Sequence, residues 1–190
     1  MKRVFSVVAL CAGTALAVNC DVSPTDTAPL APTSVVSQSS RSASATHGIP
    51  ITAILGTGHG TVNVTPTAAV DGSFSAQITV NVHGVAPTTT LYVQRAPEIG
   101  RANSADGVCQ RADGLPPWGD VPNFVTFALP GPGPLVTLET STGGSGAVHM
   151  EFAAPAITDG TMFDVMFRLV DNLTTPSIEL RSACFTVTVK

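Results

Sequence analysis

Four cysteines are the residues in this chain whose positions point most directly to chemistry: Cys11, Cys20, Cys109 and Cys184. Cys11 lies in an apolar run that follows two basic residues, Lys2 and Arg3. Small residues come next, before Cys20. A basic start, a short apolar run and small residues at its end are typical of an export signal. Residues 1–19 are therefore predicted to be a signal peptide, and the protein is expected to be exported to a bacterial envelope.

The signal permits two cleavage sites. Ala15-Leu16-Ala17 fits an ordinary signal peptidase, which would cut after Ala17 and release a secreted or periplasmic protein. The segment from Leu16 to Cys20 partly resembles a lipobox, and cleavage before Cys20 would give a lipoprotein anchored to a membrane. Lipidation of Cys20 would leave no unpaired thiol, because Cys109 and Cys184 could then form a disulfide. We therefore predict lipidation of Cys20 and the bridge Cys109–Cys184, with the secreted form as the alternative.

An irregular stretch at residues 97–122 holds the candidate ligand-binding side chains. A large share of the charge in the chain lies between Arg95 and Asp120, and the only tryptophan, Trp118, follows two prolines. An exposed tryptophan on a stiff loop can stack on a sugar ring or anchor a peptide. Burial of Trp118 against a sheet edge is the alternative, and the burial energy of a large aromatic side chain favours it. The candidate binding residues are Trp118, Arg111, Asp113 and Asp120.

Motifs for metal binding or catalysis are weak. The histidines lack the close spacing of zinc ligands. His83 and His149 lie on the predicted outward faces of strands, where they could bind zinc or copper if those strands were neighbours. Neither a nucleophile elbow nor a calcium loop of the EF-hand type is present, so we expect no cofactor. The net charge of −4 and the lack of a basic patch argue against nucleic acid as a partner.

The elements that carry these residues are predicted to be β-strands, because hydrophobic residues recur with a period of two. The clearest example is residues 74–83, where Phe74, Ala76, Ile78, Val80 and Val82 share one face. Such alternation indicates an antiparallel sheet with one face in solvent. Similar patterns occur at residues 61–64, 91–94, 124–129, 135–140, 148–152, 163–169 and 185–189.

About seven or eight short strands and no helix predict an all-β fold, an antiparallel two-sheet sandwich. In architecture alone it resembles immunoglobulin and fibronectin domains, and a small closed barrel is the alternative. The inward face changes parity between Leu180 and Phe185, which predicts a bulge near residues 181–183 that turns Cys184 toward the loop.

The predicted organisation is a signal peptide (1–19), a Ser/Thr/Pro-rich disordered tether (20–47) and a β-sandwich domain (48–190). We expect a non-catalytic envelope module with a structural or binding role, taking a protein or glycan ligand. The alternative is a carbohydrate-binding or metal-dependent activity that uses the 97–122 loop with Trp118, or the strand histidines.

Overall fold

A computed structural model describes residues 48–68 and 73–189. The predicted signal peptide, Cys20 and the predicted tether lie outside the described residues. Within the two described ranges the chain is all-β and antiparallel, as the alternation predicts. No helix in these ranges is both long enough and apolar enough to cross a membrane.

Ten strands and one short helix form the described part of the chain. In chain order they are β1 (Ile49–Leu55), β2 (His59–Ala68), β3 (Ser73–His83), β4 (Thr90–Pro97), α1 (Gln110–Asp113), β5 (Val125–Thr126), β6 (Thr137–Glu139), β7 (Gly146–Thr158), β8 (Met162–Val170), β9 (Glu179–Ser182) and β10 (Phe185–Thr188).

All ten strands belong to a single sheet, which is curled as a half-barrel. The order is β5-β4-β8-β9-β1-β2-β3-β7, with β6 also on β4 and β10 also on β8. The predicted two-sheet sandwich is not confirmed, because β9 pairs with β1 on one side and with β8 on the other. That pairing gives the two groups of strands a continuous hydrogen-bonded connection.

The inward face of the sheet forms the core. The five residues of β3 that were predicted to share one face are all buried, with at most 4% of their surface exposed. The curl brings this face against the other end of the sheet, so that the rings of Phe74 on β3 and Phe163 on β8 lie 5.8 Å apart. The ring of Phe152 on β7 likewise lies 5.5 Å from that of Phe127, the residue after β5. Residues distant in sequence therefore share one core.

The predicted irregularity near the last strand is present. β9 ends at Ser182 and β10 begins at Phe185, and Leu180 and Phe185 are both buried although their numbers differ in parity. Ala183 between them donates its N–H to the carbonyl of Pro50, at 3.2 Å. The predicted disulfide is also present, with the Cα atoms of Cys109 and Cys184 5.6 Å apart. It joins the long loop to the break between β9 and β10.

We expect the double change Cys109→Ala and Cys184→Ala to lower the free energy of unfolding by about 4 kcal/mol. The bridge closes a loop of 75 residues, and a loop of that length restricts the unfolded chain strongly. Urea unfolding of the wild type and the variant, each with and without a thiol reductant, measures the effect. The reductant should destabilise only the wild type; an equal effect on both proteins would contradict the prediction.

Candidate functional site

Trp118 is buried inside the 97–122 loop, which agrees with the interpretation that burial energy favours. Only 5% of its surface is exposed. The guanidinium carbons of Arg101 and Arg111 lie 4.6 and 5.6 Å from its ring centroid, within cation–π range. The observed burial favours the packing interpretation of this tryptophan, and ligand binding by it stays a prediction.

The two arginines that cover Trp118 also hold the loop together. Arg111 donates from Nε to the carbonyl of Pro122 at 3.1 Å and from Nη1 to the carbonyl of Pro97 at 2.9 Å. It thus joins the beginning and the end of the loop. Arg101 donates to the carbonyl of Pro117 and forms an ion pair with Asp120 at 3.1 Å.

The structure therefore brings together three of the four predicted binding residues. Trp118 and Arg111 are in contact, and Asp120 reaches them through Arg101. Asp113, at the end of α1, instead lies 3.9 Å from Nη1 of Arg181 on β9. In this arrangement the loop's charged groups bind mainly one another and the backbone.

Glu98 is a fully buried carboxyl at the base of the loop. Its Oε1 accepts the backbone N–H of Arg111 at 2.7 Å, which fixes α1 beside the end of β4. Two buried atoms here have no hydrogen-bond partner of good geometry among the described residues: Oε2 of Glu98 and Nε1 of Trp118. Burial raises the pKa of Glu98, and the negative charges of Asp164 and Asp106 add to the increase. The indole N–H of Trp118 is nevertheless near enough to Glu98 to lower the pKa of its carboxyl slightly.

The free energy of unfolding of Glu98→Gln, relative to that of the wild type, should increase as the pH rises. The raised pKa of Glu98 means that the folded wild type binds its proton more tightly than the unfolded chain does, so its stability falls once the pH exceeds the ordinary glutamate value of 4.5. Glutamine cannot titrate but keeps an oxygen for the N–H of Arg111. Unfolding free energies of both proteins between about pH 4 and 8 test this, and a difference that is independent of pH would contradict it.

The two candidate metal ligands, His83 and His149, are not brought together although their strands are neighbours. His149 on β7 lies opposite Thr79 and contacts its hydroxyl at 2.9 Å, whereas His83 contacts Ser145 at 3.1 Å. Thr79, which lies opposite His149, is four positions from His83 on β3, and this corresponds to about 13 Å at the usual rise per residue. The cross-strand neighbour of His83 is His59, with ring centroids 5.9 Å apart. No cluster of three or more His, Cys, Asp or Glu side chains suited to a metal ion occurs in residues 48–68 and 73–189.

A mostly apolar cavity of about 190 Å³ lies inside the half-barrel and is partly open to solvent. Its walls come from strands at both ends of the sheet. Representative lining residues are Val64, Phe74, Ile78, Ala154, Phe163 and Phe167. The cavity exists because the sheet curls without bringing these side chains into full contact.

Arg95 is the one charged side chain in the wall of this cavity. It follows Leu91 and Val93 at alternate positions of β4, and both of those residues are fully buried in the core. Alternation along the strand therefore directs Arg95 inward as well. Its guanidinium carbon lies 4.3 Å from the ring centroid of Phe127 and 4.3 Å from that of Phe152.

The guanidinium of Arg95 makes no hydrogen bond and no ion pair with any described residue. Burial lowers its pKa to about 10, and the nearby positive charge of Arg111 contributes. Arg95 consequently stays protonated at neutral pH. A cation with no anionic partner in the described ranges thus lines a mostly apolar cavity.

Sequence reasoning grouped Arg95 with the charges of the loop and so missed it as a site residue. The signal that could have found it is parity, since a charged residue at an inward position of a strand is unusual. No protein-family model, curated protein or solved structure matches this chain.

Proposed function

We propose that the β domain is a non-catalytic binding module that takes an apolar small molecule into the cavity of the half-barrel. The observation that carries this proposal is the cavity itself, at about 190 Å³ with an almost entirely apolar lining. An apolar cavity of about 150 Å³ in another protein stays dry and binds benzene. The space here is large enough for a similar ligand or for part of a longer one.

In the same proposal the module is exported and held at a bacterial membrane through a lipid on Cys20, with residues 20–47 as its tether. What supports this is the basic and apolar start of the chain, together with the pairing of Cys109 with Cys184, which leaves Cys20 free for lipidation. The finer description that we propose for the fold is a sandwich-like packing, in which the two ends of the one curled sheet face each other across the core. Its support is the contact between Phe74 on β3 and Phe163 on β8.

A glycan or protein ligand at the 97–122 loop has less support. The ring of Trp118 is covered by Arg101 and Arg111, so it offers no open face for a sugar. A metal-dependent activity through His83 and His149 has less support too, because these residues lie at different positions along β3 and β7. The cavity is therefore the preferred site.

The cavity proposal predicts that Ala154→Phe lowers the affinity for a small neutral aromatic probe such as benzene by about tenfold or more. Ala154 lines the cavity, so a phenylalanine ring would occupy space that the ligand needs, and a tenfold loss corresponds to about 1.4 kcal/mol of binding free energy. Calorimetric titration of the purified protein measures the affinity.

Ala153→Phe is the matched control, because Ala153 is the preceding residue of β7, is exposed and lies on the opposite face. It should bind the probe as the wild type does. Equal affinity of all three proteins, or no binding by the wild type, would contradict the cavity as the site.

Lipidation predicts a mature N-terminus at Cys20 that carries a diacylglycerol group. Mass spectrometry of the protein isolated from a bacterial membrane fraction measures this directly. Cys20→Ser should shift the protein to the soluble fraction, whereas Ser23→Ala, three residues further on, should not. An unmodified N-terminus at Val18 in the wild type would contradict the lipid anchor.

A further inference from the structure

Arg95 differs from the other arginines of residues 48–68 and 73–189 in having no polar partner. Arg168 and Arg181 both bind the carboxylate of Glu179, at 2.8 and 2.5 Å. Arg101 pairs with Asp120, and Arg111 donates to two backbone carbonyls. Among the arginines in the described part of the chain, only Arg95 has donors with no protein acceptor there, although its position on the inward face removes it from much of the solvent.

Folding alone gives little reason for a charge at this position. Partial removal of a guanidinium from water is unfavourable unless an anion or hydrogen-bond acceptors replace the water. The rings of Phe127 and Phe152 compensate in part through cation–π contacts. A methionine or leucine would fill the same space without a charge. Binding of an anionic group at this position would explain why the chain has a cation here.

The geometry around Arg95 suits a carboxylate. Aromatic rings close to the guanidinium restrict its position while leaving it a planar fork of N–H donors. A carboxylate can accept two of these in parallel. Arg111 adds positive potential at Arg95, and two of its own donors bind backbone carbonyls. An incoming anion would therefore meet one arginine with free donors and a second that strengthens the attraction.

We propose that the ligand is an apolar carboxylate of the medium-chain fatty acid class, with its head on Arg95 and its tail in the cavity. This inference rests on the proposed function, since it needs the cavity to be the binding site. If a methylene occupies about the volume of a liquid water molecule, roughly 30 Å³, then the cavity encloses about six of them. A carboxylate of about seven or eight carbons would fill it with its head at Arg95, and longer chains would extend through the opening.

The experiment compares decanoate with 1-decanol, which has the same tail and no charge, by calorimetric titration of the purified protein. Decanoate should bind at least about tenfold more tightly, because it gains charge-assisted hydrogen bonds to Arg95. Across hexanoate, octanoate and decanoate, the affinity should rise about fourfold per methylene and then level off once the cavity is full.

Arg95→Met should abolish the preference for decanoate over decanol, so that the ratio of the two dissociation constants falls to about one. Methionine adapts well to apolar surroundings, so the variant should fold, and thermal unfolding checks this. Arg95→Lys should retain part of the preference, because it keeps the charge but loses the planar fork. Arg101→Met is the matched control, since Arg101 lies in the loop outside the cavity wall, and it should keep the full preference.

The outcomes separate the two proposals. Equal binding of decanoate and decanol by the wild type would overturn the carboxylate inference, and this measurement needs no variant. If a neutral apolar probe still bound in that case, the cavity would remain the binding site. Failure of the neutral probe, decanol and decanoate alike would overturn both proposals.

Discussion

The pairing of β9 with both β1 and β8 is the constraint on which the rest of the structure depends. It joins strands that would otherwise form two separate sheets, and the continuous sheet must then curl to bury its apolar face. The curl places Phe74 opposite Phe163 and Phe152 opposite Phe127. The break after Ser182 allows this, because β10 pairs with the first half of β8 while β9 pairs with the second half. The disulfide at Cys184 fixes the loop to the same break.

The arginine on β4, Arg95, and the arginines of the loop that follows it, Arg101 and Arg111, have different surroundings. In the loop, Arg101 and Arg111 have protein partners, and together they cover Trp118 and connect the ends of the segment. Such internal pairing stabilises a long loop that has little regular structure. Arg95 lies only a few residues earlier, yet strand alternation directs it toward the core, where it has aromatic neighbours and no acceptor among the residues that the structure describes. The inward direction of the Arg95 side chain thus distinguishes it from the arginines that hold the loop together.

Much of the fold follows from local sequence pattern. Alternation on β3 predicts both the strand and its buried face, and the number and positions of the cysteines predict the bridge Cys109–Cys184. Whether the strands form one sheet or two depends on long-range pairing, which a local pattern does not contain. The same reason applies to His83, whose neighbour could be His59 or His149 until the strand order is known. Arg95 is different, because the parity of Leu91 and Val93 is visible in the sequence and was enough to indicate its inward direction, although it was not used.

The cavity also ties stability to occupancy. Protein interiors are normally packed as densely as organic crystals, so unfilled space among Phe74, Ile78 and Phe163 represents missing core volume. A molecule bound there would act as an additional core side chain contributed from outside the chain. By mass action, such a ligand at a hundred times its dissociation constant would add about 2.7 kcal/mol to the free energy of unfolding. The resistance of the domain to heat or proteolysis would then report the concentration of its ligand in the surroundings.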